Sequence, residues 1–168
     1  VSYLRSQSAR QPGERHRELQ RRAAQWYVQQ QRPIRAIDHL LLANEPAAAL
    51  DLLEGHAQPL LEDGRVRRLL RWFDQIPAEL LGRHPRLRLY CAWALILNRR
   101  YPEARSHIEQ IKRETPAGQV QARTLECLML AMSDQVEACF QACSQHLPHL
   151  PEGDPLQQGI LVAILSHH

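Results

Sequence analysis

The residues whose type and spacing come nearest to doing chemistry are Cys139, Cys143, His146 and His149. In a helix, positions i, i+4 and i+7 share a face, so two thiols and an imidazole could reach one soft metal ion. The set lacks the C-x2-C knuckle that most structural zinc sites use, and Cys139 and Cys143 also fit packing positions, so no metal ligand is assigned. Nucleophiles fare no better. Ser133, Ser144 and Cys91 lie in helical or turn contexts without a His and a carboxylate that spacing could bring to them. His84, His107 and His146 read as surface or cap residues. The seven glycines are isolated and none belongs to a G-x4-G-K-[ST] loop, so no phosphate cradle is present. The sequence therefore assigns no catalytic, cofactor-binding or metal residue and implies no cofactor.

What remains is packing, and it is patterned. In residues 85–97, Leu87, Cys91, Ala92 and Leu95 form one apolar helical stripe and Leu89, Trp93 and Ile96 a second, so this helix needs neighbours on two sides. Asn98, Arg99 and Arg100 interrupt the pattern. Tyr101, Ala104, Ile108 and Ile111 then mark the inner face of a second helix, which stops before Pro116. Ala92-x2-Leu95, Tyr101-x2-Ala104-x3-Ile108 and Pro116 resemble the tetratricopeptide (TPR) pattern, in which small residues at helix crossings let backbones approach. The register recurs upstream at Ala23, Ala24, Tyr27, Ala36 and Leu40. The separations 92 − 24 and 104 − 36 are both 68 residues, twice the TPR period. It recurs again at Cys127, Leu130, Cys139 and Cys143, which gives the thiols a role as small apolar fillers. Hairpins of this kind bury their surface only by stacking on one another. The expected fold is all-α, a TPR-like right-handed stack of antiparallel helical hairpins, an α-solenoid.

Along the chain, residues 1–13 read as the tail of a preceding module or a linker, and 14–168 as the repeat region, cut short at its C-terminal end. The first long helix is expected over 14–30, and Pro33 opens the second. A third helix over 47–61 is expected to be kinked or split by Gly55 and Pro59, and Val66, Leu69, Leu70, Phe73 and Ile76 face the core from the next. Ala78 to Leu81 forms a short turn with Gly82 as cap. Asp154 and Pro155 begin another pair, and His167 and His168 are left out of site reasoning as a possible tag remnant. No stretch alternates with period two, so no sheet is expected.

The chain has 168 residues, with 21 basic residues against 18 acidic ones and a net charge of +3. Of the basic residues only Lys112 is not arginine, and the arginines are scattered among acids, which argues against nucleic-acid contact. Four cysteines without an export signal are expected to stay reduced. No apolar run is long enough for a membrane span. These features point to a soluble, cytoplasmic protein. Repeats that read RNA need a polar code and a basic groove, whereas Leu89, Trp93, Ile96, Leu128 and Met132 offer an apolar side for a peptide, a protein segment or an apolar ligand. Packing beneath a neighbouring helix is the competing reading. The expected concave binding surface comprises Arg21, Gln25, Gln29, Arg86, Leu89, Trp93, Thr124 and Leu128.

Taken in order, the segments from Arg21 to Tyr27, Ala36 to Leu40, Ala48 to Glu54, Leu69 to Leu81, Pro85 to Leu87 and Ala92 to Leu95 resemble the region that follows the ATPase in large ATP-binding LuxR-type bacterial regulators. The resemblance covers Leu19 to about Ile111. In such proteins a nucleotide-binding module and a winged helix precede an all-helical TPR-like region, and a helix-turn-helix that binds promoter DNA follows it. The resemblance implies a signalling region that binds an inducer small molecule or a regulatory protein, touches other domains of the same regulator, and couples that event to activation. The ATP- and DNA-binding motifs are not among these residues. A stand-alone TPR-type scaffold for protein partners is the alternative reading, and a degenerate repeat region attached to an enzyme a third.

Overall fold

A computed structural model describes residues 12–150 and 155–166. The described residues form helices joined by short turns, with no strands among them. Four successive helical hairpins carry the fold. The first is α1 (Pro12–Gln29) with α2 (Pro33–Leu42). The second pairs a split helix, α3 (Pro46–Glu54) and α4 (Ala57–Glu62), with α5 (Val66–Phe73). A one-turn helix, α6 (Ala78–Leu81), leads to α7 (Pro85–Leu97) and α8 (Tyr101–Glu114). The fourth hairpin is α9 (Pro116–Met132) with α10 (Val136–His146), followed by a 3-10 turn (Leu147–His149) and α11 (Pro155–Ser166).

The turns show why the chain folds back where it does. Gln31, Gly64, Arg99 and Asp134 have left-handed φ angles of 53°, 71°, 61° and 58°. The next residue's N–H then donates to the carbonyl five residues back: Arg32 to Tyr27, Arg65 to Leu60, Arg100 to Leu95 and Gln135 to Leu130, at 2.8–3.1 Å. This Schellman closure satisfies orphan carbonyls at the helix end and reverses the chain. Positions 31, 64, 99 and 134 stand 33, 35 and 35 residues apart. The same intervals separate Ala24, Ala57, Ala92 and Cys127, and also Ala36, Leu69, Ala104 and Cys139, each at most 2% exposed. Turns and crossings thus repeat in one register, and the fold is an all-α helical repeat.

Adjacent hairpins are joined by specific bonds as well as by packing. The indole N–H of Trp72 donates to Asp38 at 2.7 Å, Tyr90 to the Gln58 side chain at 2.9 Å, and Tyr101 to the Met132 carbonyl at 2.7 Å. One apolar cluster runs continuously from Ile37 to Met129, and a smaller one gathers Cys127, Cys139, Cys143 and Leu161 beneath α11. Each fully buried Leu or Ile in them contributes about 1.5–3 kcal/mol by leaving water. No helix among the described residues is long and apolar enough to cross a membrane.

Several boundaries differ from expectation for identifiable reasons. Helix α1 starts at Pro12 rather than Glu14, because a proline in the first turn gives up no intrahelical bond. For the same reason Pro59 is tolerated inside α4, and of the two places where a split was expected, Gly55 and Pro59, it falls at Gly55, between Glu54 and Ala57. Residues 78–81 form a helical turn, and Gly82 after it has an ordinary right-handed φ of −58°. Glycine fits at 82 because an added Cβ would sit 2.8 Å from the Arg88 guanidinium. Pro116, before which the preceding helix was expected to stop, opens the first turn of α9 together with Ala117 and Gly118, and the Thr115 cap accepts from the Gly118 N–H at 2.9 Å. Of the expected tail, residues 1–11 lie outside the described residues, as do 151–154, 167 and 168.

Candidate functional site

The first hairpin and α3 leave a groove of about 540 Å³ between them. On α1, Arg21, Gln25, Val28 and Gln29 follow one helical face and form its wall. Ala24, Leu40, Ala48 and Leu52 supply an apolar floor, and Glu45 closes the far rim. The groove exists because Ala24 and Ala48 are small where longer side chains would fill the crossing. A second hollow of about 340 Å³, lined by Gln31, Pro33 and His56, shares Val28 and Leu52 with the first, so the two run together.

The rim is held by charge. Arg21 donates to Glu45 through Nη2 at 2.6 Å and Nε at 3.1 Å, and through Nη1 to Glu18 at 2.8 Å. All three side chains are more than a third exposed, so the network orients the wall more than it stabilises the fold. Behind the wall, Tyr27 stacks on His39 with ring centroids 5.1 Å apart, and His39 pairs with Gln20 at 2.5 Å. Gln25 and Gln29 remain exposed, each offering an amide donor and acceptor over an apolar floor. In general, an apolar floor under a few polar anchors is the makeup that can orient a mostly apolar ligand or a helix.

Three of the eight expected surface residues, Arg21, Gln25 and Gln29, meet in this groove. Arg86 is exposed in the first turn of α7, away from it in the fold. Leu89 and Trp93 are half-buried and pack against the main core, and Ile96 is fully buried. Thr124 and Leu128 are buried too, which corrects their placement on an open concave side. The Thr124 hydroxyl faces His146 Nε2 at 3.0 Å and donates to the Val120 carbonyl at 3.3 Å. The reason is that α9 packs against α8, α10 and α11, which covers the face that periodicity alone leaves open. Sequence reasoning missed Glu45, Leu40, Ala48 and Leu52 as lining residues. The A-x3-large step of the first repeat already pointed at Leu40.

The residues weighed for chemistry are placed as follows. Cys139 and Cys143 lie with Sγ atoms 3.8 Å apart, and the Cys139 thiol approaches the Cys127 carbonyl at 3.6 Å. Burial pushes the thiols up, to about 11 for Cys139 and about 12 for Cys143 and Cys91, which keeps them protonated and poorly nucleophilic. His146 is buried against Thr124, whereas His149 is exposed in the 3-10 turn. Among the described residues, no three His, Cys, Asp or Glu side chains stand where they could hold a metal ion. His107 Nε2 lies 3.9 Å from the Cys91 sulfur. The Nδ1 atoms of His107 and His146 are buried without a hydrogen-bond partner among the described residues.

The chain is 34% identical over 100 residues to "Serine/threonine-protein kinase PknK" of Mycobacterium tuberculosis, a match covering 60% of this chain and 9% of the kinase. It is 28% identical over 101 residues to "HTH-type transcriptional regulator MalT" of Vibrio parahaemolyticus, covering 60% of this chain and 11% of the regulator. The MalT of Serratia proteamaculans is 29% identical over 119 residues, covering 70% of this chain and 13% of that protein. The chain thus spans about a tenth of the length of the curated relatives it matches. No protein-family profile matches it, and no solved structure does.

Proposed function

We propose that this chain is a non-catalytic, TPR-like signalling segment of a bacterial ATP-dependent LuxR-type transcriptional activator. It binds an inducer or a protein partner in the groove of the first hairpin and couples that binding to activation. The observation that carries the reading is the pair of likenesses. A segment similar to this chain occurs in an HTH-type transcriptional regulator and in a protein kinase, and the two matches, each covering 60% of this chain, overlap. A segment that accompanies two different named outputs fits a scaffold that docks something better than a reaction centre, and a helical repeat is such a scaffold. The transcriptional likeness, extending to 70% of the chain, favours an activator as the setting.

The groove supports the same reading. Its apolar floor provides affinity, and Gln25, Gln29 and the Arg21–Glu45 rim provide orientation. It is formed by three helices, so an occupant that favours one arrangement of α1 against α3 shifts the balance between two states by its difference in affinity for them.

The test fills the groove without touching its rim. In the protein as encoded, Ala48→Trp places an indole over the floor, and transcripts are profiled in the variant, the wild type and a deletion strain. The reading expects the variant to lose the same transcripts as the deletion at unchanged protein abundance. A wild-type profile from a stably folded variant rejects it.

A further inference from the structure

The start of α5 breaks a local rule. Arg65, Arg67 and Arg68 cluster where the helix has no side-chain cap and no acidic residue in its first turn. That end of a helix is electropositive, so cations there work against the backbone. None of the three arginines has an ion-pair or side-chain hydrogen-bond partner among the described residues. Where a sequence departs from local consistency without visible compensation, a functional demand is the usual reason.

The next hairpin shows how the repeat ordinarily handles a cation at this turn. Arg100 occupies the place that Arg65 holds one repeat earlier. It donates to Glu103 at 2.7 and 2.5 Å and, through both terminal nitrogens, to Asp74 at 2.9 Å. In the second hairpin both carboxylates are gone. Arg68 stands where Glu103 would be, and Leu41 stands where Asp74 would be. The three arginines instead line an open cleft of about 570 Å³, together with Gly64 and, from the end of α7, Asn98. A Cβ added at Gly64 would meet nothing within 4 Å beyond its chain neighbours, and Val66 and Arg67 head the helix, where N–H groups have no partner within it.

We propose that this cleft binds the phosphate group of a small phosphorylated metabolite. Three planar guanidinium forks and free N–H donors at a helix start match the charge and the several oxygens of a phosphate dianion better than a single carboxylate. A nucleic-acid backbone fits less well, because the neighbouring Arg100 is already neutralised and cannot continue a basic track. The assignment stands apart from the groove of the first hairpin and does not depend on the transcriptional reading.

Sodium pyrophosphate, titrated into the 168-residue chain at constant ionic strength and followed by proton–nitrogen correlation spectra, tests it. Saturable shifts are expected at the amides of Val66 and Arg67 and at the side-chain N–H groups of Arg65, Arg67 and Arg68. Arg68→Glu recreates the pairing seen between Arg100 and Glu103, so it is expected to weaken binding by about tenfold or more while holding or raising Tm. Arg68→Gln is expected to weaken binding with Tm held. The proposal is overturned by unchanged binding in Arg68→Glu, by shifts spread equally over Arg15, Arg86 and Arg113, or by a fall in Tm in both variants with binding intact. Displacement of pyrophosphate by an equal concentration of a glutamate-rich peptide would overturn the phosphate assignment.

Discussion

At the scale of single residues, the buried polar atoms decide how stability responds to conditions. His107 and His146 are both held below the ordinary imidazole value of 6.5, first by burial and then by a neighbouring cation, Arg88 for the former and Arg123 for the latter. Glu103 partly offsets this at His107, and Glu126 and the Val120 carbonyl do so at His146. A base whose folded value is lowered takes up fewer protons folded than unfolded. Its contribution is therefore complete above 6.5 and is lost as pH falls from there through the lowered folded values. Thermal denaturation at pH 7.5 and at pH 5.5 is expected to show a lower Tm at the acid value, and the difference is expected to shrink in His146→Gln. The thiols give a second check. All four cysteines are buried and reduced, and the three whose values burial raises most, Cys91, Cys139 and Cys143, are expected to react with a thiol reagent at pH 8 only as fast as the chain unfolds. Prompt labelling of the native chain would contradict their placement. A third concerns glycine. At Gly118 an added Cβ would run into the Ile111 carbonyl, whereas at Gly55 it would meet nothing within 4 Å. Gly118→Ala is expected to cost about 1–3 kcal/mol by overpacking. Gly55→Ala is expected to be neutral or to stabilise by about 0.4–1 kcal/mol, because it restricts only the unfolded chain.

At the scale of elements, stability depends on crossings kept small. Ala57 and Ala104 are fully buried in successive hairpins, one in each of the two crossing registers, so Ala57→Leu and Ala104→Leu are each expected to cost about 1–3 kcal/mol in denaturant unfolding. Unchanged midpoints would mean that these faces are not packed as described. Trp93, a candidate docking residue from its sequence, is half-buried against the core, so Trp93→Ala is expected to lower Tm. How much of this was legible varies with the kind of signal. Ala24 with Ala92 and Ala36 with Ala104 stand two periods apart and disclosed the hairpins, because alanine at a crossing is a steric requirement visible in sequence. The intervening repeat was missed. Its first helix is broken between Glu54 and Ala57, and its second helix carries Leu69 where the neighbouring hairpins have Ala36 and Ala104. Nor could the repeat be read from its turns, because the left-handed position holds glycine only at residue 64 and is otherwise Gln31, Arg99 or Asp134. The backbone bond that closes each turn is indifferent to these side chains.

At the scale of the whole molecule, the candidate site was half legible. Arg21, Gln25 and Gln29 lie one and two helical turns apart, so periodicity placed them on one wall. Thr124 and Leu128 satisfy the same periodicity in α9, yet α8, α10 and α11 cover that helix. One helix's pattern records that it has an apolar face and leaves open how many neighbours share it. The far rim at Glu45 and the part of the floor formed by Ala48 and Leu52 come from the following hairpin and were visible only once the two were docked. The stack as a whole therefore leaves an open seam where the first hairpin meets the second, while its sulfur-rich fourth hairpin is closed over by α11. The measurement that tests this account most directly is hydrogen–deuterium exchange on the intact encoded protein, isolated from cells in which the transcripts lost in the deletion strain are switched on and switched off. The account predicts slower exchange in the switched-on state concentrated in α1 and α3 and abolished by Ala48→Trp. Identical exchange of these two helices in the two states, or protection confined to α9 and α10, would contradict it.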